Sequence, residues 1–127
     1  MNIHSFIQYI IYITKAKNRH GIHSPFVYDF IDNCLGKKSN LSLEQRVNEY
    51  FGGSLKWLDE DFEVTAEEKL TVFAIRGIHD SPIKTKGWDT YYANPEFQVS
   101  IDLYSIGLLV YNPEIKEKQH FVLKYPL

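Results

Sequence analysis

The stretch LTVFAIRGIHDSP, residues 70–82, decides the fold of this chain. Its first part, Leu70 to Ile75, is apolar and rich in strand formers, which predicts a short strand buried on both faces. Ser81 and Pro82 then predict the start of a helix, because serine caps a helix N-terminus and proline fits the first helical position. We expect this helix to run to Ala93.

Three strands are predicted after this helix. Residues Phe97 to Leu103 alternate between apolar and polar, which is typical of a strand with one solvated face. Further strands are expected at Gly107 to Tyr111 and at His120 to Tyr125. The predicted class is therefore α/β, or α+β if the order of the elements is followed.

Three helices are predicted before the first strand. The first covers Ile3 to Lys17 and would be capped by Asn18. The second begins at Ser24 and would be stopped by Gly36 in a left-handed conformation. The third is marked by a capping-box pattern and covers residues 42–51.

The first helix is apolar on more than one side, so we expect it to be contacted on more than one side. Its Phe6, Ile7, Ile10 and Ile11 are predicted to be buried and to make the helix part of the core.

The length of 127 residues predicts one domain, which would bury about two thirds of its unfolded surface. We divide it into a helical part at residues 1–35, a helix with an acidic linker at residues 36–69, and a strand, helix and hairpin part at residues 70–127.

Composition argues against several partners. A net charge of -2 with scattered basic residues does not suit nucleic acid or an anionic membrane. The apolar run from Phe6 to Ile13 is shorter than the roughly 20 residues needed to span a bilayer. The single Cys34 cannot form an internal disulfide and is expected to be a buried, inert thiol. We therefore expect a cytoplasmic location.

Three stretches carry a resemblance to a known family: RHGIHSPFVYDF at 19–30, VFAIRGIHDS at 72–81 and VSIDLYSIGLLV at 99–110. They resemble the two ends of class I S-adenosylmethionine-dependent methyltransferases of a bacterial O-methyltransferase-like group. The resemblance covers roughly residues 15–35 and 70–125. It implies N-terminal helices packed on a small mixed sheet, like the C-terminal part of a Rossmann-like methyltransferase.

The chain departs from that family where the cofactor would bind. The segment Gly52-Gly53-Ser54-Leu55 faintly resembles the family's glycine-rich turn, but a helix rather than a strand is predicted before it. Where the family tends to have a pair of aspartates, this chain has Arg76-Gly77. We therefore expect no S-adenosylmethionine and no other cofactor. The resemblance then implies a non-catalytic protein that acts through protein contacts, or alternatively a subunit that completes a partner methyltransferase.

Few residues remain as candidates for chemistry. His79 follows a strand at its carboxyl end, where α/β proteins place ligands, and is the best single candidate for catalysis. His20 and His23 could present two imidazoles to a metal, but zinc needs three or four ligands, so a turn without metal is expected. The acidic run Asp59 to Glu63 is interpreted as a solvated segment.

Self-association is also predicted. The strand at Leu70 to Ile75 would lack a neighbour on one side, which leaves unpaired backbone groups at an apolar edge. A two-fold dimer would cover this edge, or would pair the apolar first helices.

Overall fold

A five-stranded mixed sheet forms the centre of the molecule. The structure is a computed structural model that describes residues 2–18, 20, 22–58 and 69–126. The strands lie in the spatial order β1-β2-β4-β3-β5. Their bounds are Leu55–Trp57 for β1, Thr71–Arg76 for β2, Val99–Asp102 for β3, Ile106–Tyr111 for β4 and Gln119–Val122 for β5.

Strand β2 is paired on both sides. It runs parallel to β1, with Leu55 opposite Val72, and antiparallel to β4. The predicted free edge at Leu70 to Ile75 is therefore wrong, because β1 supplies the missing neighbour. This strand has only three residues, too few to be recognised in the sequence. The dimer predicted at this edge loses its basis, because β1 occupies the edge. The two outer strands, β1 and β5, are each parallel to their neighbour.

Four helices accompany the sheet in the described part of the chain: α1 at Ile3–Lys15, α2 at Pro25–Phe30, α3 at Leu43–Phe51 and α4 at Pro82–Ala93. Serine caps confirm three of the predicted starts, and α3 has a complete capping box between Ser42 and Gln45. The helix α1 is capped by Ala16 rather than by Asn18.

The second helix does not stop as predicted. Its α-helical part continues as a π-helical segment, Ile31–Leu35, which keeps Cys34 and Leu35 in the core. Gly36 has φ -89°, so it is not the left-handed stop that the sequence suggested. The end of α3 does follow expectation, because Gly52 adopts φ 55° and its N-H binds the carbonyl of Asn48.

The helices cover both faces of the sheet. One face packs against α2 and α3 in a cluster that includes Phe30, Val47 and Val72. The other face packs against α4 in a smaller cluster around Trp88 and Phe73. Helix α1 lies beside α4, since His4 Nε2 is 2.9 Å from the hydroxyl oxygen of Thr85. The predicted fold class, with helices on a small mixed sheet, is confirmed.

The polar residues of β3 are not solvated. Ser100 and Asp102 are buried, although their alternation with Val99 and Ile101 predicted a solvated face. That prediction is wrong because α1 and α4 lie over this face of β3, so polar side chains point into the protein.

Helix α1 presents its apolar residues to the outside. Its buried residues are Ser5 and Tyr12. The prediction that Phe6, Ile7, Ile10 and Ile11 are buried is wrong: they are 40 to 56% exposed. The polar side of the helix, rather than the apolar one, faces the rest of the chain.

None of the helices in the described ranges is long and apolar enough to span a membrane. Arg19 and Gly21 of the family-like stretch lie outside the described residues. The acidic run Asp59 to Glu63 also lies outside them.

Candidate functional site

A cavity of about 250 Å³ lies between α1 and α4, and we call it the α1–α4 cavity. Its floor is the β3 and β5 end of the sheet, where Asp102 and Val122 are opposite one another in the parallel pairing. Gln8, Tyr12 and Lys15 contribute to the α1 wall. It is the place in the described structure where the sequence-predicted His79 meets other titratable groups.

His79 and Asp102 form a buried pair at one end of this cavity. The Nε2 atom of His79 is 2.8 Å from Oδ2 of Asp102, and both side chains are 9% exposed. The other carboxylate oxygen, Oδ1, accepts a hydrogen bond of 2.8 Å from the backbone N-H of Tyr104. The carboxylate is thus bound on both oxygens, and the pair joins the loop after β2 to the end of β3.

The second imidazole nitrogen of His79 also faces a protein group. Its Nδ1 lies 3.4 Å from the Thr85 hydroxyl oxygen, and that hydroxyl donates to the carbonyl of Ile78 at 3.0 Å. The imidazole is further covered by the ring of Tyr104, with 5.6 Å between centroids. His79 is 7% exposed, and both of its ring nitrogens face protein groups rather than open solvent, which limits the access of a substrate to either atom. The geometry therefore favours an anchoring role for His79 over catalysis.

His120 is the second histidine of the cavity. Its Nδ1 is 2.6 Å from the hydroxyl oxygen of Ser100, and its ring stacks on Tyr92 with 4.0 Å between centroids. Although part of the residue remains solvent-exposed, desolvation of the imidazole lowers its pKa. The charges of Asp102 and Asp89 oppose this shift of the pKa. The imidazole of His120 is therefore neutral at neutral pH and contributes an aromatic ring to the lining of the cavity.

Trp88 is fully buried between α4 and the sheet. Gly107 on β4 makes room for it, because a Cβ at that position would lie 2.5 Å from the indole ring. The indole Nε1-H of Trp88 has no hydrogen-bond acceptor among the described residues. Trp88 also lines the α1–α4 cavity.

Helix α1 is attached to the cavity by polar contacts. The Ser5 hydroxyl donates to the His79 carbonyl at 3.0 Å, and the Tyr104 hydroxyl donates to the Ser5 carbonyl at 2.8 Å. At the other end of the helix, the Tyr12 hydroxyl donates to the carbonyl of Leu123 at 2.6 Å. It also accepts from the N-H of Tyr125 at 2.9 Å. Tyrosine and serine, not the isoleucines, thus fix α1 to the sheet.

The other predicted candidates do not converge on a site. His20 and His23 are exposed, and no group of three or more possible metal-ligating His, Cys, Asp or Glu side chains exists in the described ranges. Gly52 and Gly53 end α3 and precede a strand, so the segment is a helix cap and not a turn that follows a strand. The two glycines therefore have a structural explanation.

Two further positions can be placed. Arg76, at the end of β2, binds the carboxylate of Glu44 and lies 3.9 Å over the ring of Trp57. Its hydrogen bond lowers the pKa of Glu44. Cys34 is buried as expected, and desolvation raises the pKa of its thiol to about 12. Neither residue faces the α1–α4 cavity.

Comparison with known proteins gives no identification: no family model, no curated protein and no solved structure matches this chain.

Asp102 and His120 are cavity residues that the sequence did not single out. Both lie in segments correctly predicted as strands, but Asp102 was assigned to a solvated face. The number of helices is the sequence signal that indicates these residues. With four helices for one small sheet, both faces of β3 are covered, and buried polar residues there need hydrogen-bond partners.

Proposed function

We propose that this chain is a non-catalytic protein that works through protein contacts, and that α1 carries the contact surface. The observation that supports this is the exposure of Ile3, Phe6, Ile10 and Ile13, which are 79, 56, 43 and 49% exposed. Side chains of this size are normally buried when they are clustered, and an exposed cluster marks an interaction surface. We call these four residues the α1 seam.

The spacing of the α1 seam fits a helix partner. Ile3, Phe6, Ile10 and Ile13 follow one another at intervals of three, four and three residues, the repeat that lets two helices pack side by side. The cavity-lining residues of α1 lie on the opposite side of the helix. A partner can therefore bind the seam without entering the cavity.

A second copy of the chain is the partner that we propose. The exposed apolar side chains of α1 other than Ile11, which lines the cavity, leave roughly 600 Å² uncovered, if each offers about 200 Å², against about 800 Å² per partner in a standard interface. The α1 seam contains no charged residue, so two identical seams do not repel each other. A two-fold pair of α1 helices satisfies both conditions.

Descent from a methyltransferase is part of the same proposal. It is supported by the order of β2, α4 and the β3–β4 hairpin, which is the arrangement that the sequence resemblance implies. Under the alternative, in which the chain completes a partner methyltransferase, the α1 seam would contact that partner instead. A cytoplasmic location suits both versions, because the single thiol Cys34 is buried and makes no disulfide.

Sedimentation velocity on matched variants tests this proposal. Phe6→Ser with Ile10→Ser removes two central seam residues, and Ile83→Ser removes an apolar side chain that is 84% exposed on α4. We expect the double variant to be monomeric at concentrations where the parent and Ile83→Ser are dimeric. All three should keep the same circular dichroism spectrum, because the positions are exposed. A dimer that survives the double change would refute the role of the seam.

A further inference from the structure

The α1–α4 cavity contains two charged side chains without an ionic partner in the described part of the chain. Lys15 lines it from α1, and Asp89 lines it from α4. Neither forms a salt bridge with another described residue. Both residues are exposed, and the pKa of Tyr92 is raised by desolvation and by the nearby charge of Asp89. A cation and an anion thus stand on opposite walls of one cavity.

Several other polar groups of the cavity are already bound to the protein. Asp102 accepts from His79 and from the Tyr104 N-H, and the Tyr12 hydroxyl has partners on both sides. A bound molecule therefore does not have to satisfy these groups. Lys15 and Asp89 can each make a charge-assisted hydrogen bond to such a molecule.

The rest of the cavity suits a small apolar group with an oxygen nearby. Ile11, Trp88 and the stacked Tyr92 supply an apolar and aromatic lining. The indole N-H of Trp88 lacks an acceptor among the described residues, and a buried N-H is stabilised when an oxygen accepts from it. The volume of about 250 Å³ lies below the roughly 300–1,000 Å³ of pockets for drug-sized ligands, which limits the ligand to a small molecule.

We propose that the α1–α4 cavity binds a small zwitterion of the size of a free amino acid, with its carboxylate at Lys15 and its ammonium at Asp89. The two opposed charges select for a molecule that carries both groups. The inference is independent of the α1 seam, which lies on the other side of the helix.

Titration of the full-length, ¹⁵N-labelled chain by NMR tests this inference. The probes are glycine, L-leucine and L-phenylalanine, together with isopentylamine, which lacks the carboxylate of leucine, and 4-methylpentanoate, which lacks its ammonium. We expect saturable shifts of the Trp88 indole signal and of the His120 and Val122 amides with at least one amino acid below about 10 mM. For leucine, removal of either charged group should weaken binding about tenfold.

Matched variants link the shifts to the two charges. Lys15→Gln and Asp89→Asn should each weaken amino-acid binding about tenfold, whereas Lys17→Gln and Glu96→Gln, at exposed positions outside the cavity, should not change it. The inference is overturned if none of the three amino acids causes saturable shifts. It is equally overturned if the amine or the acid alone binds as tightly as leucine, or if Lys15→Gln and Asp89→Asn bind like the parent. None of these results depends on the oligomeric state.

Discussion

The Nε2 atom of His79 lies 2.8 Å from Oδ2 of Asp102, and this contact joins the loop after β2 to the end of β3. The backbone carbonyl of His79 also accepts from Ser5 on α1. The histidine that the sequence marked for chemistry is therefore a junction between the sheet and two helices. Its position at the carboxyl end of a strand is explained by this anchoring.

Replacing Asp102 tests the junction. Asp102→Ala leaves the N-H groups of His79 and Tyr104 buried without their acceptor, so we expect a loss of about 2–4 kcal/mol in the free energy of unfolding. Asp102→Asn keeps one oxygen acceptor and should lose less. Urea denaturation at one fixed protein concentration measures this, with the exposed Glu117→Ala as the control. Equal stability of Asp102→Ala and the control would contradict an anchoring role.

The attachment of α1 can be tested with a single hydroxyl. Tyr12→Phe removes the group that donates to Leu123 and accepts from Tyr125, and we expect it to cost about 1–3 kcal/mol. Tyr9→Phe is the matched control, because Tyr9 is 40% exposed in the same helix. The same denaturation experiment measures both variants. If the two variants are equally stable, α1 is not held by the Tyr12 hydroxyl.

We predict that the free energy of unfolding depends on pH through His120. Desolvation lowers its folded-state pKa below the value of 6.5 that an unperturbed histidine has, so the unfolded chain takes up the proton more readily. The stability from neutral His120 is fully present above about pH 6.5 and is lost as the pH falls from there through the lowered folded pKa. His120→Gln, which does not titrate, should show a flatter decline between about pH 7.5 and pH 5. Identical pH profiles for the parent and the variant would contradict the shift.

We predict that the thiol of Cys34 reacts slowly with disulfide reagents in the folded chain. Burial raises its pKa to about 12, so the thiolate fraction at pH 8 is about a thousandfold below that of a free cysteine. We expect an aromatic disulfide reagent to label the native chain at least about 100-fold more slowly than the chain in urea. Labelling within the mixing time under native conditions would show that the thiol is accessible.

Features specified by neighbouring residues could be predicted from the sequence. The caps at Ser24, Ser42 and Ser81 are formed by residues within three positions of each helix start, and the structure has all three. The strand at Thr71–Arg76 was predicted from a short apolar run rich in strand formers, which is typical of a strand buried on both faces.

Features that depend on distant segments were predicted wrongly. The alternation in β3 is the same whether water or a second layer of helices covers its polar side, and only the position of α1 decides this. The apolar pattern of α1 likewise shows which residues form its apolar side, but it does not show whether the sheet or a partner covers that side. The lining of the α1–α4 cavity depends on both of these arrangements, and His79 is the one residue of it that the sequence singled out for chemistry.

The mass of the full-length chain in solution tests the central claim, that the α1 seam is a contact surface covered by a second copy. Multi-angle light scattering over a concentration series from about 1 to about 100 μM measures it directly. We expect a mass that rises to twice 14.9 kDa as the concentration increases. A mass that stays at 14.9 kDa over the whole series would contradict the claim.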